Sequence, residues 1–266
     1  MYKVLDDCNV IEIVTDEDIE KAIADNQVNY MIMQAMGQSH REEYMKYILP
    51  FLDGEYFYIR RAAIQAILNV NGRMGLDAMK RKAEQYSLED KDPWNKVLLL
   101  VAIMIVEEGT EGLKKYFSSE EGDYRIKDTI LTFYGSGYQF TQADVELICF
   151  YLESYFDNSY DWINKLKKTE KKESMYFAFD SFLCAGRDAD ILAGISDDLS
   201  ITICNLCEKA IENRIDANYA IAITSQYMHK EYAIRILQAL KGKVKGSAKT
   251  EYKKSLKKWE ISEESL

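Results

Sequence analysis

The sequence predicts an all-α protein in which about six pairs of helices stack in a row as a right-handed superhelix. Only two prolines and 13 glycines occur in 266 residues, which is few for the many turns of a strand-rich fold. Residues 51–80 place apolar side chains at helical spacing on both sides of a break at Asn71 and Gly72. The same pattern recurs elsewhere in the chain, as arrays of helix pairs require.

The clearest helix pair is the segment Phe51–Lys80. An Asp-Gly turn at Asp53 and Gly54 opens it, and the second helix begins at Gly75. The first helix carries its apolar residues on one face: Ile59, Ala63, Ala66, Ile67 and Val70. A single pair cannot bury both apolar faces by itself, so neighbouring pairs must stack on it.

Other parts of the chain repeat this pattern. Residues 92–117 match it 37 positions later, with Gly109 on Gly72, and Met33 matches Ile67 at an offset of 34. A weaker copy spans Tyr124–Tyr134. These periods are typical of stacked helical repeats.

Capping boxes mark two further helix starts. Thr15 with Asp18 predicts a helix near 16–25, and Thr141 with Asp144 predicts one over 143–156. Helical patterns then recur over residues 174–185, 200–213, 218–228 and 231–241. We therefore expect one stacked array over residues 1–240, followed by a lysine-rich helix or cap over 241–266.

The pattern resembles that of HEAT-like repeat proteins, most clearly over residues 28–135. The run YIRRAA followed by Trp94 is also similar to the HEAT-like alkylpurine DNA glycosylases, which bind duplex DNA in a basic groove. Those enzymes use a tryptophan followed four residues later by a catalytic aspartate. Leu98 occupies that position in this chain, so the resemblance implies a related fold without that catalytic acid.

The resemblance implies that the second helix of each pair lines a concave groove. In this sequence those helices carry a recurrent set of cations: Arg41, Lys46, Lys80, Arg81, Lys114 and Lys115. Lys80 and Lys114 are 34 positions apart, so the cations nearly coincide from repeat to repeat. They are candidates for a basic stripe that binds a partner, and the alternative is that they are ordinary solvated helix faces.

Aromatic residues crowd the stretch from 150 to 162. Tyr151, Tyr155 and Trp162 are candidates for a partner-binding patch, because tyrosine and tryptophan are enriched at binding hot spots. The alternative is that these large rings fill the spaces between helices.

Charge is unevenly distributed along this acidic chain, whose net charge is −10. Residues 1–25 hold eight acids, whereas residues 241–258 hold eight lysines and one acid, Glu251. The lysine-rich end is expected either to dock as a cap through Val244, Tyr252, Leu256 and Trp259, or to act as a basic arm for an anionic partner. The net charge disfavours nucleic acid as a partner.

The sequence predicts no catalytic site, no metal site and no cofactor. Cys204 and Cys207 form a CxxC pair, but zinc sites normally need four ligands and a second pair is missing. His40 and His229 are the only histidines and lack metal-binding spacing; His40 is expected at an exposed helix start.

The cysteine content and the apolar runs predict a cytoplasmic protein with no membrane partner. Five cysteines without framework spacing fit a reducing compartment, and the first residues lack the pattern of a signal peptide. The longest apolar run, Val97–Val106, is far shorter than the roughly 20 residues that span a bilayer.

Three functions fit these observations. The first is a non-enzymatic scaffold or adaptor that binds another protein or a peptide segment in its groove. The second is an immunity-like or antitoxin-like inhibitor of a basic toxin, which acidic charge would steer onto its target. The third is a DNA-binding or DNA-repair protein related to the HEAT-like glycosylases, using the basic stripe.

Overall fold

The computed structural model describes residues 1–5, 11–90, 93–134, 140–189 and 191–266. The protein is all-α, with 76% of its residues in helices. The chain divides into two compact units, Met1–Leu113 and Lys114–Leu266, which are described separately below. Helix packs on helix in each unit, and the superhelix of stacked pairs over residues 1–240 stays a prediction.

The first unit begins with a short antiparallel hairpin, which the sequence did not predict. Tyr2 pairs with Val14 and Leu5 pairs with Ile11. Val4 and Val14 are buried, and the hairpin packs on α2. The elements of this unit are β1 (Tyr2–Leu5), β2 (Ile11–Val14), α1 (Asp16–Ala24), α2 (Tyr30–Ser39), α3 (Met45–Ile48) and α4 (Phe57–Glu84), with α5 (Trp94–Ser118) crossing into the second unit.

Two predicted helix starts are confirmed by their capping boxes. Asp18 accepts a hydrogen bond from the Thr15 backbone at 2.8 Å, and the Thr15 hydroxyl accepts one from the Asp18 backbone at 3.2 Å. Thr141 and Asp144 make the same reciprocal pair at the start of the helix over Gln142–Asp157. Each box satisfies backbone donors that the first helical turn leaves unpaired.

The predicted breaks inside the two longest helices are also confirmed. Asn71 interrupts α4 with φ −170° and ψ 97°, and Gly109 interrupts α5 with φ 64° and ψ −161°. The conformation at Gly109 lies in a region open almost only to glycine, which explains the residue at that position.

The segment after α2 differs from the helix that the sequence predicts to start at His40. His40 takes a left-handed conformation, φ 56°, and ends α2; its Nδ1 lies 2.6 Å from the Asn69 carbonyl oxygen. It therefore lies at the end of a helix and not at the expected start. One α-turn, α3, follows between two 3₁₀ turns, and the second of these contains Pro50, which lacks a backbone N–H for a longer helix.

The second unit consists of the end of α5 and nine further α-helices in its described residues. The helix Lys168–Ala189 packs on four others: Tyr124–Tyr134, Gln142–Asp157, Ile191–Gly194 and Asn218–Thr224. The helices are α6 (Tyr124–Tyr134), α7 (Gln142–Asp157), α8 (Asp161–Lys165), α9 (Lys168–Ala189), α10 (Ile191–Gly194), α11 (Asp197–Glu212), α12 (Asn218–Thr224), α13 (Lys230–Leu240) and α14 (Gly246–Trp259).

The lysine-rich end forms α14, which docks on α12 and α13. Ala248, Tyr252 and Leu256 are buried on the docked face. Trp259 Nε1 donates a hydrogen bond to the Ser225 carbonyl at 2.9 Å. The apolar face of this helix is thus part of the core of the second unit, and its lysines face outward.

No helix in the described parts of the chain combines the length and the apolar character needed to cross a bilayer.

The docking of α14 predicts a clear stability contrast on one helix. Leu256→Ala should lower the free energy of unfolding by about 2–5 kcal/mol, because it removes a buried side chain and leaves a cavity. Lys253→Ala, on the exposed face of the same helix, should change it by less than about 0.5 kcal/mol. Urea unfolding followed by circular dichroism measures both, and equal effects would mean that α14 does not dock.

Candidate partner-binding surfaces

The cations predicted to line a groove in the first unit are partly neutralised. The Arg41 guanidinium lies 2.7 Å from a Glu43 carboxylate oxygen and 3.7 Å from one of Asp16. Lys80 forms an ion pair with Glu107. These acids belong to the same unit and cancel much of the local positive potential.

The remaining candidate cations are exposed but few in each unit. In the first unit, Lys46 lies over the Tyr47 ring at 4.8 Å, and Arg81 has no ion-pair partner among the described residues. In the second unit, Lys114 lies 4.9 Å from the centre of the Phe150 ring, and Lys115 is exposed. The basic stripe that the sequence suggests therefore stays a prediction.

The aromatic patch predicted at Tyr151, Tyr155 and Trp162 is wrong, because all three side chains are buried. They surround Phe117, with ring centres 4.2, 6.1 and 4.9 Å from its own. Trp162 Nε1 also donates to the Phe117 carbonyl at 3.0 Å. The rings fill the space between helices, which was the alternative interpretation of the same stretch.

A half-buried carboxyl group adjoins this aromatic core. Asp128 accepts hydrogen bonds from the Tyr155 hydroxyl, at 3.0 Å, and from the Ser174 hydroxyl. Burial raises the pKa of Asp128, and this effect outweighs the two hydrogen bonds; the nearby carboxylates of Glu170 and Glu173 raise it further. The charged form of Asp128 is therefore disfavoured inside the folded unit.

The structure places an exposed aromatic cluster elsewhere, on the first unit. The rings of Tyr56 and Tyr58 stack with centres 5.7 Å apart and planes 19° from parallel. Tyr30 packs edge-on against Tyr58 at 6.2 Å. Tyr56 is 56% exposed and Tyr58 47% exposed. We call Tyr30, Tyr56 and Tyr58 the tyrosine surface.

The backbone that carries Tyr56 is fixed by Arg60. Its guanidinium donates to the Gly54 carbonyl at 2.6 Å, to the Glu55 carbonyl at 2.8 Å and to the Asn95 side chain at 2.7 Å. Gly54 has no room for a side chain, since a Cβ there would lie 2.7 Å from Ile59 Cγ2. Arg60 thus ties the loop before α4 to the first turn of that helix.

The position of two tyrosines in the sequence already indicates part of the tyrosine surface. Tyr56 and Tyr58 stand before the first buried residues of α4, Ala62 and Ala63. Large rings that precede the first buried residue of a helix lie outside its buried face and are exposed. Their partner, Tyr30, begins a different helix, and no short-range pattern connects it to them.

The second unit has an open cleft of about 390 Å³ between α9 and the turn after α11. Its lining is mixed, with two aromatic rings, two cations and two acids: Lys172, Glu173, Tyr176, Phe177, Arg214 and Asp216. Lys172 donates to the Arg214 carbonyl at 3.2 Å and so ties α9 to this turn. This hydrogen bond joins the two walls of the cleft.

The CxxC pair is part of the core. Cys204 and Cys207 are buried, and burial raises the pKa of both thiols, so they stay protonated at neutral pH. Within the described residues no group of three or more histidine, cysteine, aspartate or glutamate side chains is placed to hold a metal ion.

The burial of Asp128 predicts a pH-dependent contribution to stability. Its folded-state pKa is raised, so its stabilising contribution is present below the ordinary value of about 4 and is lost as the pH rises through the raised value. The loss is about 1.4 kcal/mol for each unit of the shift. Asp128→Asn should therefore gain stability relative to the wild type as the pH rises above about 4.

Glu153→Gln is the control for this measurement, because Glu153 is exposed on α7. Thermal unfolding across the pH range should show a flat difference for this variant. An equally flat difference for Asp128→Asn would show that Asp128 ionises normally in the folded protein.

Comparison with known proteins identifies no relative of this chain. Neither a scan against protein-family models nor a search of curated proteins finds a match for the chain. The likeness to HEAT-like repeat proteins therefore depends on the repeat pattern of the sequence alone.

Proposed function

We propose that this protein is a non-enzymatic binding module that holds a protein partner through the tyrosine surface. The observation that carries the proposal is the exposed stack of Tyr56 on Tyr58, with Tyr30 against its edge. Exposed single aromatics are ordinary on protein surfaces, whereas contiguous exposed apolar rings mark interaction sites.

The chemistry of the cluster suits a protein partner. A tyrosine ring buries a large apolar area on binding, and its hydroxyl group remains available for a hydrogen bond. Across the described part of the chain, the Tyr56 and Tyr58 hydroxyl groups have no hydrogen-bond partner. Tyrosine is also among the residues that dominate binding energy at interfaces.

Pre-organisation supports the same proposal. Arg60 fixes the loop that carries Tyr56, and ring stacking restricts Tyr56 and Tyr58 relative to each other. A side chain that is already ordered loses less conformational entropy when a partner binds. The tyrosine surface therefore loses little freedom on association.

The DNA-binding alternative finds less support. Ion pairs neutralise Arg41 and Lys80, and Leu98, at the position of the glycosylase aspartate, is buried. Phosphate contacts dominate the affinity for nucleic acid, and the net charge of −10 opposes them. An inhibitor of a basic toxin is one form of the protein-binding proposal, and its support is the net charge of −10.

The proposal predicts the effect of removing the rings. The double variant Tyr56→Ser, Tyr58→Ser should weaken partner binding by about 30-fold, which corresponds to about 2 kcal/mol for a hot-spot cluster. Both side chains are largely exposed, so folding should be unaffected. Affinity capture from native lysate, followed by titration of the captured protein, measures the change.

Tyr124→Ser is the matched control. Tyr124 is 54% exposed, close to the value for Tyr56, and it lies on the second unit. This variant should retain wild-type binding. If both variants bind the captured partner as the wild type does, the tyrosine surface is not the binding site.

A further inference from the structure

Two helices of the first unit, α2 and the part of α4 before its break, run in the same direction and begin at the same end. Tyr30 packs against Tyr58 near both starts, with ring centres 6.2 Å apart. Farther along the two helices, a Cβ on Gly37 would lie 3.0 Å from the Ala66 Cα. The two contacts follow the same order in both helices, so the helices are parallel.

The start of α5 lies beside the start of α4 in the same way. Arg60, in the first turn of α4, donates to the Asn95 side chain at 2.7 Å. Farther along, a Cβ on Gly72 would lie 2.6 Å from Val106 Cγ2. Again the contacts follow the same order in both helices. The first unit therefore has three parallel helices that begin side by side.

An aromatic residue stands at each of these three helix starts. Tyr30 is the first residue of α2, Tyr58 is the second of α4, and Trp94 is the first of α5. Trp94 is 45% exposed, which is close to the 47% of Tyr58. We call the tyrosine surface together with Trp94 the aromatic row.

The side chain of Arg60 joins Trp94 to the tyrosine surface. Its guanidinium bonds to Asn95, the residue after Trp94, and to the Gly54 and Glu55 carbonyls of the loop that carries Tyr56. The aromatic row thus continues from the tyrosine surface to the start of α5.

The spacing of the aromatic row fits one kind of extended chain. Packed helices lie about 8–10 Å apart, so the aromatic residues at their starts recur at about that interval. A polyproline II helix has about three residues in each turn and advances about 9 Å in that turn. A segment in this conformation, laid across the three helix starts, would bring one residue of each turn to each helix.

The chemistry of the aromatic row favours the same occupant. Proline-rich segments bind grooves that are lined by aromatic rings. The carbonyl groups of a polyproline II helix have no internal hydrogen bonds, whereas those of an α-helix are already bonded. The hydroxyl groups of Tyr56 and Tyr58, which have no hydrogen-bond partner among the residues that the structure describes, can donate to such carbonyls.

We infer that the aromatic row binds a proline-rich segment of the protein partner in the polyproline II conformation. The inference rests on the proposed function; it names the chemistry of the partner and adds Trp94 to the site. The chain has only two prolines in 266 residues, Pro50 and Pro93. The proline-rich segment therefore belongs to a different protein and not to a second copy of this chain.

A fluorescently labelled nonaproline peptide tests the inference. Nine prolines make about three turns and extend about 28 Å, which is enough to cross three packed helices. Fluorescence anisotropy should show saturable binding to the wild type. A glycine-serine peptide of the same length and label should bind at least about tenfold more weakly, because a flexible chain loses more conformational entropy.

Variants of the aromatic row should weaken the binding of nonaproline. The double variant Tyr56→Ser, Tyr58→Ser should lose about 30-fold in affinity and Trp94→Ala about tenfold, as expected for residues that dominate binding energy. Trp94→Phe, which keeps an aromatic ring, should retain binding and so shows whether the ring itself matters.

Met74→Ala is the matched control on the same unit. Met74 is 47% exposed, as Tyr58 is, and it lies beyond the break at Asn71 in α4, away from the helix start. This variant should bind nonaproline as the wild type does.

The inference is wrong if nonaproline binds no better than the glycine-serine peptide, or if the tyrosine and Trp94→Ala variants bind it as tightly as the wild type does. Excess nonaproline should also displace the partner captured from lysate. A captured partner that nonaproline does not displace, but that the double tyrosine variant fails to bind, would refute this inference and leave the proposed function in place.

Discussion

The close approach of α2 to α4 at Gly37 is the constraint on which the tyrosine surface depends. A Cβ at Gly37 would lie 3.0 Å from the Ala66 Cα, so a larger residue there would force the two helices apart by a few tenths of an ångström. Because α2 is held there, its first residue, Tyr30, reaches the edge of Tyr58 in the first turn of α4. The position of the tyrosine surface thus depends on how one helix pair packs.

The helices α4 and α14 use their basic residues in different ways. At α4 the guanidinium of Arg60 donates hydrogen bonds to two backbone carbonyls of the loop that carries Tyr56. On α14 the apolar face is buried and the lysines are exposed to water.

Local chemistry made part of this fold predictable. The breaks at Asn71 and Gly109 and the caps at Thr15 and Thr141 are each set by a few adjacent residues, so the sequence alone identifies them. The lysines of α14 were recognisable in the same way. The burial of Tyr151 and the ion pair of Lys80 depend on residues far along the chain, and composition does not reveal such contacts.

The central claim is that a partner contacts the tyrosine surface, and photo-crosslinking tests it most directly. A photoreactive phenylalanine analogue placed at position 56 or at position 124 would be irradiated in cells that contain the native partner. Tyr56 and Tyr124 are exposed to nearly the same extent, so random collisions label both positions equally. We expect a discrete adduct with one protein from position 56 and none from position 124. Equal labelling at both positions, or a discrete adduct only from position 124, would contradict it.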